Sequence, residues 1–178
     1  MRTRRNQGTR KLALASVLSA LGVLLLTLGS FIEVLDLSMA ALASLLVVLA
    51  VIELRGKYPY LIYAVTSVLG LLLLPQKTPA VLYALFAGFY PILKAVLERC
   101  APRVLAWIFK ILSFNLCLLL ACFVAVRLVL PDATLIATYW FWLPVIGTPI
   151  FVLYDVALTR LITAYVMRWR ARLRFFQD

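Results

Sequence analysis

A chain of 178 residues that is 65% hydrophobic and 14% charged carries more apolar surface than one soluble core can hide, so lipid is the solvent expected for much of it. The formal net charge of +11 would suggest nucleic acid in a soluble protein, but the basic residues flank long apolar runs, where anionic lipid headgroups neutralise them, and nucleic acid is not an expected partner. The absence of histidine removes the commonest metal ligand and the commonest neutral-pH base, and Cys100, Cys117 and Cys122 lack metal-ligand spacing, so no metal, no cofactor and no disulfide is expected.

In chain order, Arg2, Arg4, Arg5, Arg10 and Lys11 form a basic start. The apolar run that follows, Leu12 to Gly29, is longer than a signal-peptide core, and its Ala13-x-Ala15 lies at the wrong end for cleavage, so it reads as a retained first helix. At about 20 residues per span, spanning helices are expected near 11–32, 36–54, 58–75, 78–98, 103–129 and 138–168. Pro75, Pro79, Pro102 and Pro131 lie at or beside the proposed ends, where a missing backbone donor is least costly. Every loop but the fifth is very short, which makes consecutive helices antiparallel neighbours.

Charge orients these spans. Of the 18 Lys and Arg, all but Lys77, Lys110, Arg127 and Arg160 fall in the basic start, in Arg55 and Lys57, in Lys94, Arg99 and Arg103, or in Arg168, Arg170, Arg172 and Arg174. The alternate connections hold Glu33 and Asp36, then Lys77, then Arg127 and Asp132. This positive-inside pattern predicts an all-α integral membrane protein: a compact, single-domain bundle of six transmembrane helices with both termini cytoplasmic.

The last segment is too long for one simple span and is interrupted by Pro144, Gly147 and Pro149. Either a kinked helix runs from about 138, or residues 132–147 form an outer loop and the span begins near Thr148; the second is favoured because Thr148 to Met167 suffices to cross. Tyr139, Trp140, Phe141 and Trp142 cluster at the proposed outer end, as an interfacial aromatic belt or as a wall over a substrate pocket.

Charged groups inside spans need partners or water, which singles out Lys110, Asp155 and Arg160. Asp155 and Arg160, five positions apart, pair poorly on one helix, so partners on another helix are expected: Lys110 with Asp155 where Asp155 lies in the inner half of its span, with Asn115 one turn beyond Lys110. The set reads either as an interhelical ion pair that fixes register or as a substrate contact. Glu53 and Lys94, near inner span ends, are expected to face the membrane interface. In the fourth span, Tyr83, Phe86, Gly88, Phe89, Tyr90 and Pro91 mark a kink whose freed carbonyl is tolerable only against protein or a water-lined cavity, so this face should point inward.

The first span carries small residues four apart, Ala15 with Ser19 and Ser16 with Ala20, and the second repeats this with Ala40 and Ser44. Such faces let helices approach closely in lipid, within the bundle or against another membrane subunit.

From Lys11 to Gly22, in size, and in having six helices with cytoplasmic ends, the chain resembles an S component, the substrate-binding membrane subunit of an energy-coupling factor (ECF) transporter. The resemblance covers nearly the whole length. It implies capture of a vitamin or related micronutrient outside the cell and toppling in the membrane, driven by an ATPase pair through a transmembrane coupling subunit. In that family an Ala-xxx-Ala face on the first helix docks on the coupling subunit; here the matching positions are Ala15 with Ser19 or Ser16 with Ala20, and the strict Ala pair is absent. The implied location is a bacterial plasma membrane, with lipid, a small-molecule substrate and the coupling module as partners and no catalysis by this subunit. Tyr83, Asn115, Tyr139, Trp140, Trp142 and Asp155 are the residues expected to line a substrate pocket. A non-transporting scaffold or assembly factor would use the same small-residue faces without a pocket, and a membrane-embedded enzyme would need a carboxylate or lysine aimed into a cleft.

Overall fold

The computed structural model describes residues 2–54, 56–100, 102–128 and 142–169, with the side chains of 2–7, 33, 124–128 and 168–169 excepted. Among the described residues the chain is all-helical: α1 (Arg2–Phe31), α2 (Asp36–Glu53), α3 (Tyr58–Leu73), α4 (Thr78–Cys100), α5 (Arg103–Leu128) and α6 (Trp142–Ala164). Five of these are long and apolar enough to cross a membrane, and α3, with 16 residues, is shorter. The expected starts at 36, 58, 78 and 103 coincide with the observed ones. The reasons are local. Pro59 and Pro79 occupy first-turn positions, where no intrahelical donor is needed. Gly56, at φ 66°, makes the left-handed turn between α2 and α3.

The last helix departs from expectation. Residues 142–147 are helical, so α6 starts at Trp142 rather than near Thr148. Pro144 falls within the first turn, whose N–H groups are orphans in any helix. Pro149 lies inside the helix and removes one ladder bond, which shared packing tolerates in apolar helices. Residues 129–141 lie outside the described residues, and with them Tyr139, Trp140, Phe141 and Asp132.

The chain forms two compact units, Met1–Trp107 and Ile108–Asp178. In the first, α2 is central and lies against α1, α3 and α4. Its Ala40, Ala43, Ser44, Val47 and Ala50 are buried, and this run of small side chains brings neighbouring backbones close, the main source of attraction where lipid competes with every apolar contact. α1 answers with Ala15, Ser19, Gly22, Leu26 and Ser30, a stripe recurring at three and four residues that is buried throughout. A Cβ on Gly22 would sit 3.0 Å from Thr66 Cγ2 of α3, which shows how tightly α1 and α3 meet. Leu54, Ile62, Leu74 and Tyr83 close this core.

Among the described residues the second unit holds two α-helices, the part of α5 from Ile108 onward and α6. Its outer faces expose Leu112, Leu116, Leu120 and Phe123 on α5 and Ile146, Ile150, Leu153 and Leu161 on α6.

Candidate functional site

In the second unit the sequence pairs Lys110 with Asp155, and the structure brings them together: Lys110 Nζ donates to Asp155 Oδ2 at 3.2 Å, with both side chains buried. The pair is one rung of an antiparallel ladder. One turn along, Phe114 stacks on Phe151 with ring centroids 4.6 Å apart and planes 11° from parallel. One turn further, Leu118 and Phe114 lie 3.3 Å from the position of a Cβ on Gly147. Each step of four up α5 is thus matched by a step of four down α6. Charge meets charge, ring meets ring, and a large side chain meets a glycine, so three independent chemistries specify the same register. Sliding one helix by a turn would set Lys110 opposite Phe151 or Thr159 and leave a buried charge unpaired.

Hydroxyl and amide groups around this rung bond locally. Ser113 Oγ donates to the Lys110 carbonyl at 2.9 Å, and Thr159 Oγ1 to the Asp155 carbonyl at 2.7 Å. Asn115 Nδ2 donates to the Ile111 carbonyl at 2.9 Å on its own helix, with its side chain half-buried. Arg160 is exposed and makes no ion pair among the described residues. Of the three intraspan charges, the structure therefore joins two. Trp142, the one described member of the aromatic cluster, is 56% exposed at the start of α6.

The first unit holds a second polar feature, at the middle of α4. The helix begins regularly at Thr78–Leu82, widens into a π turn over Tyr83–Ala87, and resumes as Tyr90–Cys100. Single π turns inside helices recur at functional sites. Here the Gly88 N–H reaches five residues back to the Tyr83 carbonyl at 2.8 Å. The Ala84 carbonyl, its acceptor in a regular helix, instead accepts from the Tyr63 hydroxyl of α3 at 2.7 Å. Pro91 has no N–H to offer the Ala87 carbonyl four residues earlier. Rings crowd the break: Tyr63 lies 6.3 Å from Tyr83 and 6.2 Å from Phe89, and Phe86 stacks on Tyr90 at 5.1 Å. Gly88 is required there, since a Cβ would come within 2.7 Å of both the Tyr63 and Tyr83 rings. Of the face expected to point inward, Tyr83, Gly88, Tyr90 and Pro91 are buried and Phe86 is half-buried, but Phe89 is exposed.

Two residues of this region escaped that reading. Lys94, expected at the membrane interface, is buried at 2% exposure and bonds Glu98 one turn on at 3.2 Å. Its position three residues after Pro91, on the same face as Tyr90, was the available signal. Tyr63 gave none, because the carbonyl it satisfies exists only once the π turn forms.

The small-residue faces of α1 separate cleanly. Ala15 and Ser19 point into the first unit, with the Ser19 hydroxyl donating to the Ala15 carbonyl at 2.9 Å. Ser16 and Ala20, each one residue on and so about 100° round the helix, are exposed. Of the four residues proposed from sequence as a subunit contact, Ser16 and Ala20 are the ones presented outward. Among the described residues no cluster of His, Cys, Asp or Glu could hold a metal ion.

No family model matches this chain, and comparison with curated proteins and with solved structures finds no similar protein.

Proposed function

We propose that this chain is the substrate-binding membrane subunit of an ECF-type importer, spanning a bacterial plasma membrane with both ends in the cytoplasm. The subunit captures a small micronutrient such as a vitamin on the outer side and passes it inward with a transmembrane coupling subunit and a pair of ATPases. The observation that carries this reading is the buried Lys110–Asp155 pair inside two apolar helices, because ionisable groups at that depth are costly and are retained where a pathway or binding event uses them. The broken α4 supports it, since interrupted spans supply free carbonyls near the membrane midplane of transporters. Exposed Ser16 and Ala20 offer a close-approach face on α1 for the coupling subunit.

A scaffold or assembly factor is the second reading, favoured by the filled interior of the first unit, where Ala40, Ala43, Val47 and Leu26 have no exposed surface. Purification in mild detergent followed by native mass spectrometry separates the two. The importer reading expects one non-lipid small molecule bound at one per chain; lipid or a peptide in its place would favour the scaffold.

A further inference from the structure

We propose that α4 is a two-state helix, with Tyr63 as the latch that holds its π turn open. The argument begins from the hydrogen-bond partners of one amide. Gly88 N–H can reach either the Tyr83 carbonyl, as in a π turn, or the Ala84 carbonyl, as in an α-helix; it takes the former at 2.8 Å. That choice would orphan the Ala84 carbonyl inside an apolar helix, where no water competes for it. The Tyr63 hydroxyl removes the penalty at 2.7 Å, so the π form is stabilised from α3 and not by α4 itself. Gly88 permits the same state sterically, because only a residue without a Cβ fits beneath the Tyr63 and Tyr83 rings.

Conversion to a regular helix absorbs one residue. It would turn everything after the break by about 100° and push it about 1.5 Å further along the axis from Thr78–Leu82. Tyr90, Pro91 and Lys94, now buried, would leave the interior together, while Phe89 and Val96, now exposed, would change face. Tyr63 and the Ala84 carbonyl thus sit at a bistable element, and a ligand or partner that binds the two forms unequally shifts it. This inference does not depend on the transport reading.

Paired spin labels in the first unit test it. In a background of Cys100→Ala, Cys117→Ala and Cys122→Ala, Leu21→Cys on α1 and Val96→Cys on α4 place both labels at exposed positions. Distances are read in lipid nanodiscs on the full chain. The latched protein should give one main distance. Tyr63→Phe, which deletes the hydroxyl and keeps the ring, should add a second population displaced by about 8 Å, the chord of a 100° turn at the helix surface. Gly88→Ala, which attacks the π form sterically, should populate the same second distance. A Tyr63→Phe protein that retains the original distance alone, or that fails to fold, overturns the proposal, as does a Gly88→Ala protein with the original distribution.

Discussion

The two units hold apolar helices together by different means. In the first, helices approach through alanine, serine and glycine on α1 and α2, so that backbone contact supplies the attraction. In the second, two helices are joined by a charge pair, a ring pair and one glycine contact, spaced one turn apart. Close backbone packing is distributed and tolerates no added volume. A ladder of distinct chemistries concentrates specificity in a few residues and tolerates no mismatch. The burial of the spans differs accordingly: 39% of the α2 span is buried, against 11% of the α5 span.

The sharpest way to break the contrast is to leave one charge stranded. Asp155→Ala keeps Lys110 buried without its carboxylate and should destabilise the protein by about 3–5 kcal/mol, read as a lowered unfolding temperature in detergent. Lys110→Asp with Asp155→Lys should recover a large part of that loss. If the single substitution leaves the unfolding temperature unchanged, the pair is not what sets the register.

Added volume should hurt the first unit next most. Gly22→Leu forces a side chain against Thr66, where a Cβ alone would already stand at 3.0 Å, and should cost about 1–3 kcal/mol in the same assay. Ala15→Leu should behave alike, being fully buried. On the ladder, a double-mutant cycle of Phe114→Leu and Phe151→Leu should return a coupling of about 1 kcal/mol, the worth of an aromatic pair beyond its buried area. A coupling of zero would reduce that rung to ordinary apolar contact. The smallest effect belongs to Ser16→Leu with Ala20→Leu, which on an exposed face should shift stability by no more than about 0.5 kcal/mol. That double replacement therefore isolates docking from folding.

The helix starts at 58, 78 and 103 were readable because prolines and basic residues mark span ends physically: a proline lacks the donor that a first turn does not need, and a lysine or arginine will not sit in hydrocarbon unaided. The same cost made Lys110 and Asp155 visible as partners. Which face of each helix points inward was harder to read, because these helices are apolar on both faces and hydrophobic periodicity gives little guidance. Ala15 with Ser19 and Ser16 with Ala20 are equivalent as sequence, yet one pair is core and the other is surface. Lys94 was misplaced for a related reason: its nearness to Arg99 and Arg103 suggested the interface, while it is buried on the same face as Tyr90. Pro144, Gly147 and Pro149 together resembled a loop, but a proline in the first turn and a glycine beneath Phe114 are both compatible with the continuous α6. Tyr139 and Trp140 lie outside the described residues, and Trp142 is exposed.

The measurement closest to the central claim is affinity purification of the tagged chain from its native membrane, in wild-type form and as Ser16→Leu with Ala20→Leu, with the co-purifying proteins identified by mass spectrometry. The importer account predicts that a transmembrane subunit and a pair of P-loop ATPases accompany the wild type and are lost from the folded double variant. Wild-type protein that carries no ATPase, or a double variant that retains the same ATPases, would contradict it.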